Sequence, residues 1–223
     1  STKVYDGTLS ATFVNAALLT LSNVPAGDSG NSAKLALATP IAQYATKTVG
    51  TSKTVSVTSA SLSGTSASNY TLSVTGAPTT TANITTRTLS VTASGINKTY
   101  DGTTTATVTL GSDKLAGDTV TLAYTSASYS TKIVESGKAV SVTGISISGT
   151  DAGNYTANTT ATTSANITAK SLNVTITASN KVYDAGTSVS VTYGSNKIAA
   201  DTLTITGTAS FANKSAGVSK TVT

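Results

Sequence analysis

The chain has 223 residues, carries a formal net charge of +5, and contains no cysteine, histidine or methionine. These absences exclude disulfides, a Ser/His/Asp triad and the usual transition-metal ligands. Charged residues make up only 10% of the sequence, no lysine and arginine run is interleaved with aromatic residues, and no apolar stretch reaches the length of a membrane-spanning helix. We therefore expect no enzymatic activity, no nucleic-acid partner and no membrane span.

A short Tyr-Asp motif returns at three places along the chain. It reads Lys-Val-Tyr-Asp-Gly-Thr at residues 3–8, Lys-Thr-Tyr-Asp-Gly-Thr at 98–103 and Lys-Val-Tyr-Asp-Ala-Gly-Thr at 181–187. A second motif, Asn-Tyr-Thr, occurs at 69–71 and 154–156 and keeps nearly the same spacing. Motifs that recur at a long and nearly fixed interval indicate tandem copies of one folded unit.

The distance between Tyr-Asp motifs sets the length of the repeat. Tyr100 and Tyr183 are 83 residues apart, which gives the basic period. Tyr5 and Tyr100 are 95 residues apart, so the first repeat carries an insertion. We predict a first repeat at 1–87 that lacks its initial strand, a second repeat at 88–170, and an incomplete third repeat at 171–223.

Apolar and polar residues alternate most clearly in the second repeat, as is typical of β-strands. The alternating segments are 89–91, 106–110, 120–124 and 140–147. The alternation shifts by one residue at 143–144, which predicts a β-bulge or a strand that changes sheets. The first repeat shows the same shift between Val57 and Ala60. One turn of helix at residues 16–19 is the only helical alternative.

Short alternating strands that are separated by frequent turn signals are typical of antiparallel β-sandwiches. The sequence therefore predicts an all-β protein built from tandem antiparallel Ig-like β-sandwich repeats of about 83 residues. The junctions at 84–89 and 167–172 contain no glycine or proline, so one strand should run almost directly into the next repeat. Because short junctions restrict hinge motion, we expect the repeats to form an elongated rod.

The recurring tyrosine, aspartate and asparagine residues are predicted to stabilise the fold. An aspartate in a Tyr-Asp-Gly motif can accept bonds from its own downstream amides in an Asx-turn, and glycine permits a positive φ. The tyrosine ring should be buried, and its hydroxyl should donate a hydrogen bond to a backbone carbonyl. The Asn-Tyr pairs resemble a tyrosine corner. These structural residues are Tyr5, Asp6, Gly7, Asn69, Tyr70, Tyr100, Asp101, Gly102, Asn154, Tyr155, Tyr183 and Asp184.

No cofactor is expected, although two alternatives stay open for the polar residues. Calcium could bind between repeats at Asp101 with Asp151, or at Asp6 with Asp28. This ion needs six to eight oxygen ligands, and nine acidic residues in the whole chain supply few of them. A covalent crosslink between a lysine and an asparagine is the second alternative, with Lys98, Asn97 and Asp101 as the neighbouring residue types.

The insertion in the first repeat is the best candidate for specific recognition, because loops on a rigid scaffold often carry binding residues. Asn15 to Leu21 and Gly27 to Ser32 interrupt the repeat. The candidate recognition residues are Asp28, Asn31 and Tyr44. The simpler alternative is a longer hairpin without a binding role.

Four motifs follow one another in the second repeat, from Lys98 to Lys170. They are Lys-x-Tyr-Asp-Gly-Thr, Gly-x-x-Lys-x-Val-x-Val or its close variant, Ile-x-Ile-x-Gly-x-Asp-Ala-Gly-Asn-Tyr, and Ala-x-Ile-Thr. In this order they resemble the YDG-type repeat of large bacterial exoproteins, which include filamentous-haemagglutinin-like adhesins. The first repeat departs from the pattern at 66–69, and the third departs at 184–186. The resemblance implies an Ig-like β-sandwich stalk outside the cell, without enzymatic activity.

We therefore expect a structural stalk or fibre segment of an adhesin that is secreted or lies on a bacterial cell surface. Its expected partners are further copies of the repeat in a longer chain. Two alternatives remain. The edge of the third repeat could accept a strand from a like chain and build a filament, or the insertion of the first repeat could bind a glycan or a host protein.

Overall fold

The computed structural model describes residues 1–13 and 19–223. All regular elements in this part of the chain are β-strands or short 3₁₀ turns, so the all-β prediction is confirmed. The alternative helical turn at 16–19 lies, apart from Leu19, outside the described residues. In the part that the structure describes, no helix has the length and apolar character that crossing a membrane requires.

The strands follow the alternating segments of the sequence. The first repeat contains β1 (Lys3–Val4), β2 (Ser10–Ala11), β3 (Ala36–Tyr44), β4 (Gly50–Ser63) and β5 (Thr80–Thr85). The second contains β6 (Arg87–Leu89), β7 (Val91–Ile96), β8 (Lys98–Thr99), β9 (Thr107–Ser112), β10 (Thr121–Ala123), β11 (Ser126–Tyr129), β12 (Glu135–Thr143), β13 (Ser146–Ser148), β14 (Tyr155–Ala157) and β15 (Thr160–Thr168). The third contains β16 (Val174–Ala178) and β17 (Val191–Ser195), and 3₁₀ turns lie at Ala67–Asn69 and Ala152–Asn154.

The strand that leads into each of the first two Tyr-Asp motifs lies beside the closing strand of the same repeat. The five strands of the first repeat form one sheet in the order β1-β5-β4-β3-β2, with Lys3 of β1 opposite Ile84 of the parallel strand β5. In the second repeat the order is β11-β12-β15-β8, with Lys98 of β8 opposite Ile167 of the parallel strand β15. The strand that leads into the Tyr-Asp motif is thus held by the closing strand of the same repeat.

The prediction of exclusively antiparallel sandwiches is wrong for three strand pairs. β1 with β5, β8 with β15, and β6 with β14 are all parallel. The strands curve into one near-closed barrel and one curled half-barrel, and their pairing does not show an Ig-like sandwich. Alternation of apolar residues fixes which face of a strand is buried. It does not fix the direction of the neighbouring strand.

Most of the alternating apolar positions of the second repeat are buried, whereas Leu110, Leu122, Tyr124 and Ile147 are half-buried. Leu89, Val91, Ala106, Val108, Val120, Val140, Val142 and Ile145 are each 9% exposed or less. The shift of alternation is also confirmed, because β12 pairs in the four-stranded sheet whereas β13 pairs with β10. Gly144 allows this change with a φ of 67°, and a Cβ atom there would lie 2.4 Å from the Thr125 Oγ1. In the first repeat the shift is a change of register between β3 and β4.

The two junctions between repeats differ. β5 ends at Thr85 and β6 begins at Arg87, which confirms a direct junction between the first two repeats. After β15 ends at Thr168, the next strand begins only at Val174, so the same prediction is wrong for the second junction. The physical reason is that β6 pairs with β14. No strand pairs with residues 170–172 in the part of the chain that the structure describes.

Contacts between residues group the chain into two compact units. One comprises residues 1–93, 110–125 and 142–161, and the other comprises 94–109, 126–141 and 162–223. The units do not coincide with the predicted repeats, because the second repeat contributes segments to both. The repeats therefore describe the periodicity of the sequence, and the compact units describe which segments pack together.

Candidate functional site

Each repeat contains a four-residue turn that ends in an aspartate. In the turns 25–28, 115–118 and 198–201, the backbone N–H of the aspartate donates to the carbonyl of the first residue at 3.0, 3.2 and 2.9 Å. Their sequences are Pro-Ala-Gly-Asp, Leu-Ala-Gly-Asp and Ile-Ala-Ala-Asp. We call these three segments acceptor turns, because their carboxylates accept hydrogen bonds from tyrosines.

The Tyr-Asp motifs form the predicted Asx-turns. Asp6, Asp101 and Asp184 each accept, on Oδ1 and at 2.9 Å, the backbone N–H two residues further on. The next residue has a positive φ in all three turns, 75° and 79° at the glycines and 62° at Ala185. The ammonium group of the motif's lysine also contacts each carboxylate. The bond from Lys98, with that from the Thr103 N–H, lowers the pKa of Asp101 to about 2. We call these segments Tyr-Asp turns.

The first Tyr-Asp turn lies against the acceptor turn of the second repeat. Tyr5 is 1% exposed, and its hydroxyl donates to Asp118 Oδ2 at 3.0 Å and faces Oδ1 at 3.2 Å. The Tyr155 hydroxyl donates to the same Oδ2 at 2.6 Å and accepts the Leu115 N–H at 3.0 Å. The two tyrosine rings meet edge to face, with centroids 5.6 Å apart. One carboxylate therefore receives a hydroxyl from each of two consecutive repeats.

This bonding satisfies a carboxylate that is almost fully buried. Asp118 is only 6% exposed, and a buried charge is costly unless hydrogen bonds compensate it. Burial, together with the hydrogen bond to Asp118, raises the pKa of Tyr5 far above its ordinary value. The same two causes raise the pKa of Tyr155. Both hydroxyls therefore keep their protons at neutral pH and donate charge-assisted bonds, which are stronger than neutral ones.

The second Tyr-Asp turn repeats this contact on the third repeat. The Tyr100 hydroxyl donates to Asp201 Oδ1 at 2.8 Å, and the Lys132 ammonium lies 3.8 Å from the same atom. Glycine allows the close approach of the two turns. Ile198 is the first residue of this acceptor turn, and a Cβ atom at Gly102 would lie 2.9 Å from its side chain.

Asn154 adds a further contact between the first and second repeats. It is 4% exposed, and its Oδ1 accepts the backbone N–H of Val49 at 2.9 Å. Asn69, its counterpart in the first repeat, is exposed. Asn154 thus uses its side chain to hold the turn that opens β4 of the preceding repeat. Asn69 remains at the surface.

The acceptors predicted for the tyrosine hydroxyls are wrong in four cases. Tyr5, Tyr100, Tyr70 and Tyr155 donate to aspartates rather than to backbone carbonyls, so the Asn-Tyr pairs do not form tyrosine corners. The sequence does contain a signal for the true acceptor. Ala-Gly-Asp occurs at 26–28 and 116–118, and Ala-Asp follows at 200–201. Nothing in a single sequence pairs such an aspartate with a distant tyrosine, and Asp28 itself is among the predicted recognition residues.

The candidate recognition residues have separate structural partners. Asn31 accepts the Ala33 N–H in a local turn, and Asp28 belongs to the first acceptor turn. Tyr44 is only 2% exposed, and its hydroxyl donates to the carbonyls of Ser1 and Asn83. The prediction of Tyr44 as a surface recognition residue is therefore wrong. Residues 15–18 of the insertion lie outside the described part of the chain.

The residues of the two open alternatives are engaged in other contacts. Within 1–13 and 19–223, no group of three or more acidic, histidine or cysteine residues could hold a metal ion. The Lys98 ammonium contacts Asp101 at 2.8 Å and the Thr103 and Thr105 carbonyls at 2.9 Å. The Asn97 side chain accepts the Asn166 N–H at 2.7 Å.

Comparison with protein families assigns the whole repeat pattern to one family. The YDG domain matches three times, at residues 1–81, 85–164 and 168–223. The chain belongs to the YDG domain family. Comparison with curated proteins and with solved structures gives no match. Each contact between a Tyr-Asp turn and an acceptor turn thus joins one YDG domain to the next, and we call it the YDG joint.

Proposed function

We propose that this chain is a non-catalytic structural segment in which serial YDG domains act as a spacer. The observation that carries the proposal is the recurrence of the YDG joint. Tyr5 bonds to Asp118, and Tyr100 bonds to Asp201 in the same way one domain later. A contact that is rebuilt between each domain and its successor lets domains be added in series without a new interface.

The strand order within a domain supports serial addition. β1 and β5 are parallel neighbours, and so are β8 and β15. Because the strand that leads into each Tyr-Asp motif runs parallel to the closing strand of the same domain, the Tyr-Asp turn lies at the end where the chain leaves that domain. A single residue separates β5 from β6. Both features favour an elongated rod over a folded-back arrangement of domains.

The setting outside the cell is also part of the proposal. The motifs of the second domain resemble those of large bacterial exoproteins, and the family match covers nearly the whole chain. We therefore propose that the spacer belongs to an adhesin that is secreted or lies on the cell surface. Its natural neighbours are further YDG domains, whose joints would follow the same Tyr-to-Asp rule.

Small-angle scattering of the purified chain tests the spacer proposal. A compact globule of this length has a radius of gyration of about 17 Å, and an unfolded chain has about 51 Å. Three serial domains of roughly 35–45 Å each give about 30–39 Å for a thin rod. We expect a value in the rod range with a rod-like pair-distance distribution. A value near that of the globule, or a flexible-coil profile, would contradict the proposal.

A further inference from the structure

The two ends of the second domain pair with each other in two places. A YDG domain matches on each side of this domain. β6, where the chain enters the domain, runs parallel to β14, with Arg87 opposite Tyr155. β8, two strands later, runs parallel to the closing strand β15. The entering segment, residues 87–99, is therefore bound twice to the leaving segment, residues 155–168.

Side-chain amides lengthen both of these strand pairs. Asn158 follows β14, and its Oδ1 accepts the Val91 N–H at 2.8 Å while its Nδ2 donates to the Val91 carbonyl at 3.0 Å. One side chain thus satisfies both backbone polar groups of a residue that is 3% exposed. Next to β8, the Asn97 Oδ1 accepts the Asn166 N–H at 2.7 Å. All of these bonds again join the entering segment to the leaving segment.

The parallel direction of the two pairs decides how they respond to tension along the chain. Such tension pulls the entering segment from its N-terminal end and the leaving segment from its C-terminal end. In a parallel pair these two points lie at opposite ends of the ladder, so its evenly spaced bonds are loaded in shear and share the force. In an antiparallel pair, such as β10 with β13, they lie at the same end, and the bonds break one after another. The parallel pair therefore presents the higher barrier, and this barrier governs forced unfolding.

We propose that β6 with β14 and β8 with β15 are tension clamps, which let the second domain carry mechanical force from one neighbouring domain to the next. The first domain contains a similar parallel pair, β1 with β5. There the Tyr5 N–H donates to the Thr85 carbonyl at 2.9 Å, as the Tyr100 N–H donates to the Thr168 carbonyl at 2.8 Å. The biological role of the clamps rests on the proposed spacer function, because only a domain in series with others carries their tension. The clamps themselves are a property of a single domain.

Single-molecule pulling on the intact chain tests the proposal, because no native cysteine competes with introduced attachment points. Thr86→Cys with Lys170→Cys, the terminal attachment, applies force to the entering and leaving segments. Thr121→Cys with Ser148→Cys, the control attachment, applies force to the antiparallel pair of β10 and β13, and all four sites are exposed. Released lengths of roughly 280–300 Å and 90–100 Å identify the two unfolding events. At equal loading rates, the first rupture should need about twice the force or more with the terminal attachment.

Asn158→Ala separates the clamp from the general stability of the domain. The variant loses both bonds to Val91, so its lifetime at constant force should shorten about tenfold with the terminal attachment. With the control attachment its lifetime should stay within about twofold of wild type, because these bonds do not join β10 to β13. Asp151→Ala is the matched variant. It loses a bond of 2.8 Å from the Thr119 N–H, which lies outside both clamps, and should keep the lifetime of wild type with the terminal attachment.

Three results would overturn the proposal. The first is a rupture force that is no higher with the terminal attachment than with the control attachment. The second is an unchanged lifetime of Asn158→Ala with the terminal attachment. The third is an equal shortening of its lifetime with both attachments, which would make Asn158 a general stabiliser of the domain. The scattering test of the spacer remains separate. A rod whose second domain ruptures easily would refute the clamps alone, whereas a compact globule with a strong second domain would refute the spacer alone.

Discussion

Replacing Tyr5 by alanine is expected to lower the free energy of unfolding by about 3–5 kcal/mol, the usual cost of deleting a buried aromatic ring. The ring is 1% exposed and packs edge to face on Tyr155. Its removal leaves a cavity at the YDG joint and takes one of the two tyrosine donors from Asp118. Urea unfolding of the intact chain, followed by far-UV circular dichroism, measures the change.

The same substitution in the other two Tyr-Asp turns provides matched controls. Tyr183 is 62% exposed and bonds to no acceptor turn within residues 1–13 and 19–223, so Tyr183→Ala should change stability by no more than about 0.5 kcal/mol. Tyr100 is partly exposed and bonds to Asp201, so Tyr100→Ala should fall between the two. Equal losses for Tyr5→Ala and Tyr183→Ala would show that the motif acts within its own turn and not through the joint.

The second large effect is expected at Leu89, where alanine should cost about 2–5 kcal/mol. Leu89 is fully buried at the end of β6, which is held in place by pairing with β14. Thermal or urea unfolding of the Leu89→Ala chain gives the loss, and the cost combines the lost apolar contact with the cavity that remains.

Leu172 is the control for Leu89, because it follows the corresponding junction one domain later. It is 43% exposed, and residues 170–172 form no strand. We expect Leu172→Ala to cost less than about 1 kcal/mol, as for a surface position. A loss at Leu172 as large as that at Leu89 would mean that β14 is not what buries this leucine.

The sequence was sufficient for the features that depend on local patterns. Alternation of apolar residues located the strands and the buried positions, from Leu89 to Ile145. The Tyr-Asp-Gly spelling predicted the Asx-turns, because the aspartate and the amide that it binds are only two residues apart. The recurrence of the same spelling predicted the YDG repeat, which the family comparison confirms.

Features that depend on distant pairs of residues could not be predicted in this way. The Tyr5 hydroxyl and its acceptor Asp118 are 113 residues apart. The parallel direction of β1 and β5 is likewise decided by packing across the whole domain and not by alternation along either strand. Both kinds of error arise because a single sequence shows which residues are buried but not what they are buried against.

Asp28 shows how an insertion can hide a repeated feature. The interval from Tyr5 to Asp28 is 23 residues, against 18 from Tyr100 to Asp118. A further excess separates Asp28 from Tyr44, so extra residues flank the acceptor turn on both sides. The turn itself is unchanged, since its N–H bonds back to Pro25 as in the other two domains. Because the spacing differs from that of the other repeats, the sequence alone predicts a recognition loop at Asp28. The structure has an acceptor turn there, with the same geometry as the other two.

A double-mutant cycle between Tyr5 and Asp118 tests the central claim, that consecutive YDG domains are joined by this hydroxyl and this carboxylate. Tyr5→Phe, Asp118→Asn and the double variant should show a coupling of about 1–2 kcal/mol in urea unfolding. A control cycle of Tyr183→Phe with Asp118→Asn should be additive, because the tyrosines that bond to Asp118 in the described residues are Tyr5 and Tyr155. Additivity within about 0.3 kcal/mol in the Tyr5 cycle would contradict the account.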